Sequence, residues 1–258
     1  MACFDYAHAI ARVPSRNVVH GLSEDASATP DFEKIVAEHR GYVSALRGLG
    51  LAIDTLPALD AFPDSVFVED PAFVIPEGAI LLRPGAPSRL GEREEMRDAL
   101  KRHFGQNQEL ADGEYADGGD VLITPQTIFI GLSKRTNRAG AESLQAKLKA
   151  LGRDVRIVQT PPVILHFKTA SSLLTEDTIL CTAAMAQSGV FDGLKLVITP
   201  EGEEAAANAL RVKDTILLGD SFPRTRDLIR ELGLSVQTLA ITEIGKLDAG
   251  LSCMSLRW

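Results

Sequence analysis

The chain has 258 residues, enough for one large hydrophobic core or two small ones, and its 45% hydrophobic and 24% charged content is ordinary for a soluble fold. A net charge of −8 argues against nucleic acid, whose binding needs a basic stripe. No apolar run reaches the roughly 18–20 residues that span a bilayer, so no membrane is expected as a partner.

In chain order, the opening "MACFDYAHAIARVPSRN" lacks the basic-then-apolar pattern of a secretory leader. "TPDFEKIVAEHRGYVSALRGLG" predicts a helix with Thr29 as N-cap, Pro30 at its first position and Gly48 and Gly50 at its end. Its apolar positions 32, 35, 36, 42, 43 and 46 follow a helical period, and His39 continues that stripe as a packed helix residue. Four hairpin-like stretches follow: "SVFVEDPAFVIPEGAILLRP" (65–84), "GGDVLITPQTIFIGL" (118–132), "LHFKTASSLLTEDTILCT" (165–182) and "AAANALRVKDTILLG" (205–219). Each has two runs rich in Val, Ile, Leu or Phe around a Pro, Gly or Asp turn. Helices are predicted at "EREEMRDALKRHFG", "NRAGAESLQAKLKALG" and "PRTRDLIRELG".

The four turns, near residues 77, 125, 176 and 213, recur at a spacing of about 40–50 residues, the mark of a repeat architecture. With the N-terminal strand and the C-terminal strand forming a closing unit, there are five. A ring of five strand–helix units follows, its equivalent strands converging on an axis where a small-molecule site would be concave. The Rossmann alternative lacks a GxGxxG after any strand, and no P-loop occurs.

Chemistry is suggested at a few positions. "FPDSVFVEDPAFV" places Asp64, Glu69 and Asp70 in or beside an apolar strand, and "ADGGDVLI" places Asp117 and Asp120 around two glycines before another. Carboxylates entering a buried sheet are costly unless paired, so either they meet basic residues of the protein or they hold a cationic ligand. Gly118 and Gly119 permit close backbone approach or a positive φ. Arg83, Arg89, Lys134 and Arg135 lie just beyond strands, and an arginine fork there could grip a carboxylate. His166 opens a strand pair after a double proline. Three cysteines without CxxC spacing fit free thiols in a reducing cytoplasm. Cys181 sits in the apolar "TILCTA" as core, whereas Cys253 follows Gly250 and Ser252 in the last strand. A cysteine, a distant histidine and carboxylates make a generic set of nucleophile, acid/base and orienting group.

At these positions the sequence resembles the dimethylarginine dimethylaminohydrolases of the guanidine-modifying (amidinotransferase) superfamily. The matching stretches are "FPDSVFVEDPAFV", "RPGAPSR", "DGGDVL", "FIGLSKRTN", "LHFKT" and "LSCMSLRW", in family order along nearly the whole chain. The resemblance implies an α/β fold, a five-bladed ββαβ propeller of pseudo-fivefold symmetry (the pentein fold), with residues 1–258 as one catalytic domain. It also implies hydrolysis of Nω-monomethyl- or asymmetric Nω,Nω-dimethyl-arginine to citrulline and a methylamine, with no cofactor and no metal, in a cytoplasmic monomer or homodimer.

Within the resemblance, Cys253 matches the nucleophile, His166 the general acid/base and Asp117 the acid that orients it. Asp70 matches the carboxylate that holds the guanidinium, and Asp64 and Glu69 match neighbouring substrate-binding acids. Arg89 and Arg135 match the basic residues for the substrate α-carboxylate, while Leu22 on a lid and Leu247 match backbone contacts. Phe167 stands where leucine is common, which points to an altered pocket lining, and the acid at 117 is Glu in some relatives. The rival readings are a related guanidine or ureido hydrolase, such as an arginine deiminase or a citrulline hydrolase, and a non-catalytic propeller like the ribosome anti-association factor. Arginine deiminases are typically longer, with an inserted helical domain for which this chain has no room.

Overall fold

The computed structural model describes residues 3–25 and 27–258. The N-terminal strand β1 (His8–Arg12) is followed by helix α1 (Phe32–Gly48) and strand β2 (Ala52–Leu56), which pairs parallel to β1. Parallel neighbours need a long crossover, and α1 supplies it. Asp31 caps α1 by accepting from the Lys34 N–H, so Thr29 and Pro30 lie ahead of the helix rather than in its first turn. The aspartate is two residues nearer the buried stripe of Ile35, His39, Tyr42, Val43 and Leu46 than Thr29, and its carboxylate satisfies the free Lys34 amide.

The next three blades repeat one plan. β3 (Ala72–Ile75) and β4 (Gly78–Leu81) form an antiparallel hairpin, and α2 (Glu92–Phe104) returns the chain to β5 (Gln108–Glu109), parallel to β4. β6 (Val121–Ile123), β7 (Ile128–Leu132), α3 (Arg138–Ala150) and β8 (Val155–Gln159) do the same, as do β9 (Ser171–Leu173), β10 (Thr178–Cys181), α4 (Ala183–Gln187) and β11 (Lys195–Ile198). The last full blade is β12 (Leu210–Val212), β13 (Thr215–Gly219), α5 (Pro223–Glu231) and β14 (Ser235–Leu239), followed by the short helix α6 (Thr242–Gly245). The final strand β15 (Leu256–Arg257) pairs antiparallel to β1. It thereby supplies the first strand that the N-terminal blade lacks, and the two termini close the ring.

The described residues thus form five three-stranded sheets, each of ββαβ plan. The first strands β15, β3, β6, β9 and β12 line the axis, with β15 against β3, β6 against β9 and β9 against β12. Among the described residues no helix is long and apolar enough to cross a membrane.

Three segments expected as strand are not. Pro63–Val66 and Phe167–Thr169 are short 3-10 turns, and Leu251–Met254 is a turn. Val66, Phe67 and Val68 are apolar because neighbouring blades bury them, not because they alternate across a sheet. The consequence is functional. Asp70 stands two residues before β3, Asp117 four before β6, His166 five before β9, Asn208 two before β12 and Cys253 three before β15. Every blade delivers one polar side chain from the irregular lead into its axial strand, so all five arrive at one end of the axis.

Candidate active site

Cys253, His166, Asp70, Asp64, Arg89, Arg135, Leu22 and Leu247 line a single cleft of about 760 Å³. Asp117 lies directly beneath it, fully buried, with Oδ2 2.9 Å from His166 Nε2 and Oδ1 accepting from the Gly85 N–H at 2.7 Å. That contact leaves Nδ1 as the ring nitrogen free to exchange protons. Burial alone would lower the His166 pKa. It is outweighed by the charge of Asp70, the hydrogen bond to Asp117 and the charge of Asp120, which together bring it up to about 9. The free protein therefore holds an imidazolium at neutral pH.

Cys253 behaves oppositely. Burial, followed by the charges of Glu69 and Asp70, pushes its thiol up to about 12. Its Sγ lies 3.9 Å from Asn208 Nδ2, while Asn208 Oδ1 accepts from the Ser252 N–H at 3.1 Å. Asn208 thus braces the turn that carries the nucleophile. Sequence reading missed it because nothing in "AAANALRV" marks chemistry. The available signal was positional: Asn208 precedes its axial strand by the same two residues as Asp70.

Asp70 is buried against Arg89 and accepts from the Gly119 N–H at 3.0 Å. Burial would raise its pKa, but the Arg89 and His166 charges and these hydrogen bonds hold it below the usual carboxylate range. Arg89 is itself committed to the protein. It donates to Asp70, to both oxygens of Glu92 (3.0 and 2.7 Å) and to the carbonyls of Asp64 (3.3 Å) and Phe67 (2.9 Å). Burial and the partly opposing pull of Arg89 leave Glu92 at about 6. Arg135 differs: its Nη1 lies 3.9 Å from Asp117 Oδ2, and its side chain remains 18% exposed at the cleft wall.

Asp64 accepts from the Leu22 N–H at 2.9 Å, Glu24 N–H donates to Asp248 at 2.6 Å and Ser23 Oγ donates to the Lys246 carbonyl at 2.9 Å. The segment Leu22–Glu24 is held over the cleft by these three contacts. Lys134 reaches the same segment, 3.9 Å from Glu24, whereas Arg83 pairs with Asp112 away from the cleft.

Two expectations need correction. The Glu69 carboxylate turns away from the cleft: Oε1 meets Lys168 Nζ (2.6 Å) and Arg257 (3.2 Å), and Oε2 accepts from Ser252 Oγ (3.0 Å). Only its main chain serves the cleft, its N–H donating to the Cys253 carbonyl at 3.2 Å. The turn that leads into β3 thus sends its two carboxylates to different sides, Asp70 into the cleft and Glu69 away from it. Phe167 likewise leaves the lining unchanged, because it packs in the core against Phe129 and Phe191, with ring centroids 6.3 and 5.3 Å away. Leu165 lines the cleft instead.

The two glycines of "DGGD" are needed for close approach. A Cβ on Gly118 would stand 2.0 Å from the Glu69 carbonyl oxygen, and one on Gly119 3.0 Å from both Asp70 Oδ1 and His166 Cγ. Gly118→Ala must move backbone, and an expected loss of about 1–3 kcal/mol in urea-melt stability follows from that overpacking. An unchanged melt would mean that the lead segments are loose.

Asp70, Asp117 and His166 also offer three ligand atoms within 4.8 Å of one another. Asp70 is already engaged by Arg89 and Gly119, and Asp117 by Gly85 and His166, so a cation would have to displace those donors. Cys181 is fully buried core, its thiol raised to about 11 by burial.

A five-bladed ring with a thiol, an imidazole and its carboxylate at one end of the axis defines the pentein class of guanidine-modifying folds. A family model described as N,N dimethylarginine dimethylhydrolase, eukaryotic, matches residues 18–189. The N(G),N(G)-dimethylarginine dimethylaminohydrolase of Pseudomonas aeruginosa is 35% identical over 98% of this chain and 100% of its own length. A crystal structure of a cysteine-to-serine variant of the Pseudomonas aeruginosa enzyme complexed with citrulline superposes with a TM-score of 0.95 at 34% identity, covering 99% of this chain and all of that one. A dimethylarginine dimethylaminohydrolase with histidine replaced by glycine, as an adduct with S-methyl-L-thiocitrulline, gives the same TM-score and identity over 98% of this chain and 100% of that chain. The chain belongs to the dimethylarginine dimethylaminohydrolase family.

Proposed function

We propose that residues 1–258 form one catalytic domain that hydrolyses Nω-methylated arginines to citrulline and a methylamine. The observation that carries this reading is the shared cleft, in which Cys253 and His166 meet a carboxylate, Asp70, suited to a cation. The lining holds four acids (Glu24, Asp64, Asp70, Asp248) and, besides His166, three bases (Arg89, Lys134, Arg135), a mixed field that fits a zwitterion with a cationic tail. Arg135, the arginine not enclosed by carboxylates, anchors the α-carboxylate, and Arg89 acts mainly by fixing Asp70. Asp64 and the backbone of Leu22 and Leu247 hold the α-ammonium end beneath the lid.

A guanidinium carbon is a poor electrophile because its charge is spread over three nitrogens, so orientation by Asp70 matters. As the guanidinium binds, the Cys253 thiol loses its proton to solvent, and the thiolate attacks this carbon, forming a C–S bond and a tetrahedral adduct. Imidazolium His166 gives its proton to the departing amine nitrogen as the C–N bond breaks, leaving a thiouronium on Cys253. Neutral His166 then takes a proton from water, the hydroxide adds to the same carbon, and C–S cleavage releases citrulline. The citrulline complex and the S-methyl-L-thiocitrulline adduct of the relatives support citrulline as the product and a covalent adduct on the way to it. A free nucleophilic thiol suits the reducing cytoplasm.

The thiol at about 12 is the obstacle, and the substrate removes it. A guanidinium bound at Asp70 neutralises one of the charges that keep Cys253 protonated. Alkylation of Cys253 followed against pH should show its pKa fall by one unit or more, on the order of a full charge in a buried site, when a non-reactive guanidine is bound. No change would remove substrate-assisted ionisation from the mechanism.

The function itself is tested by colorimetric citrulline release from monomethyl-, dimethyl- and unmodified arginine. Turnover of the methylated compounds is expected to exceed that of arginine. Release from arginine alone would assign the chain to arginine deimination instead.

A further inference from the structure

A second, narrower cavity lies along the ring axis and shares no lining residue with the cleft. Glu69 and Ser252 line it, each the sequence neighbour of a cleft residue, so the two chambers sit back to back across one layer of side chains. Its wall comes from the axial strands β3, β6, β9, β12 and β15.

The charge of this wall is unusual for the chain that builds it. Lys168, Arg211 and Arg257 face one carboxylate, Glu69, inside a protein of net charge −8. Glu69 Oε1 is shared by Lys168 and Arg257. Arg211 has no carboxylate partner among the described residues: it donates to the carbonyls of Lys213 and Leu174 and stacks 3.7 Å over the Phe4 ring. Two donors in the wall also lack partners among the described residues. They are Ser172 Oγ, on a residue 7% exposed, and Arg257 Nε, on a side chain 9% exposed. Buried donors without acceptors are rare and costly. Water can satisfy a donor, but it leaves the excess of two positive charges over Glu69 unanswered, whereas an anion answers both.

We propose that the axial chamber binds a small anion, a halide or a tetrahedral oxyanion, between Arg257 Nε, Ser172 Oγ, Lys168 and Arg211. The assignment is independent of the reaction in the cleft and does not use its residues.

The test has a crystallographic and a solution arm. Crystals of the full chain grown without halide or phosphate and soaked in sodium bromide are expected to show an anomalous peak within hydrogen-bond reach of Arg257 Nε and Ser172 Oγ. In solution, sodium bromide or sodium phosphate is expected to raise Tm saturably above sodium gluconate at equal ionic strength, and the stronger of the two identifies halide or oxyanion as the ligand. Arg211→Gln should weaken that saturation by roughly tenfold or more, the worth of a charged donor. Should Arg211→Gln not fold, Ser172→Ala, which removes only a hydroxyl, serves the same comparison. No bromide peak in the chamber, a Tm rise matched by gluconate, or saturation unaltered in the variants would overturn the proposal.

Discussion

Cys253→Ser is expected to abolish citrulline release, by roughly 10⁴-fold or more, while leaving the fold intact. The reason is the order of events rather than the bulk of the side chain. In the free protein the thiol, at about 12, is protonated, and no ion pair with His166 contributes to stability. Exchanging one small polar hydrogen-bonding atom for another therefore removes little from the folded state. A serine hydroxyl, however, titrates far above a thiol, and the charge of a bound guanidinium that brings a thiolate within reach does not bring an alkoxide. Binding of substrate should survive, because Asp64, Asp70 and Arg135 are untouched. The measurements are single-turnover citrulline formation, a thermal melt and equilibrium binding of dimethylarginine. Retained turnover would place the nucleophile elsewhere. Lost turnover together with lost binding would make Cys253 a structural residue of the cleft.

The five-unit ring was legible because the apolar pairs and helices repeat, and each repeat obeys local rules of turn and cap. The closing unit was legible for the same reason: β1 has a helix and a parallel partner but no preceding strand, and the chain ends in one. Local pattern failed in the leads to the axial strands. "SVFV" reads as strand, yet its apolar side chains serve a core assembled from several blades, and the backbone turns in 3-10 geometry after Pro63. The direction of Glu69 was not legible either, since its partners Lys168 and Arg257 stand 99 and 188 residues away. For Arg89, sequence shows a cation beyond a strand, but not that Asp70 and Glu92 enclose it. Asn208 was hidden by its bland neighbours, although it precedes its axial strand by the same two residues as Asp70.

His166→Ala is expected to lower turnover of dimethylarginine by about 10²–10⁴-fold, and to do so unevenly across the two half-reactions. Dimethylamine cannot depart as an anion, so the first half depends on the His166 proton. S-Methyl-L-thiocitrulline carries a thiolate leaving group that needs far less protonation, so attack on it should proceed in the variant. Water activation still fails. The thiouronium on Cys253 should then accumulate and be visible by intact-mass spectrometry, an outcome that a merely unfolded or misshapen cleft would not give. The same substitution has a pH signature in stability. In the fold the imidazole titrates at about 9, above its ordinary value near 6.5: burial opposes the charged form, but Asp70, Asp117 and Asp120 more than offset it. A group raised in this way stabilises the folded state fully below about pH 6.5, and the contribution disappears as the pH rises through about 9. Urea melts should therefore show the variant much less stable than the parent at pH 6, with its Asp70, Asp117 and Asp120 carboxylates left without their cation. The gap should narrow by pH 9.5. A gap independent of pH would mean that His166 is neutral in the free protein, and the proton for the departing amine would then have to come from another source.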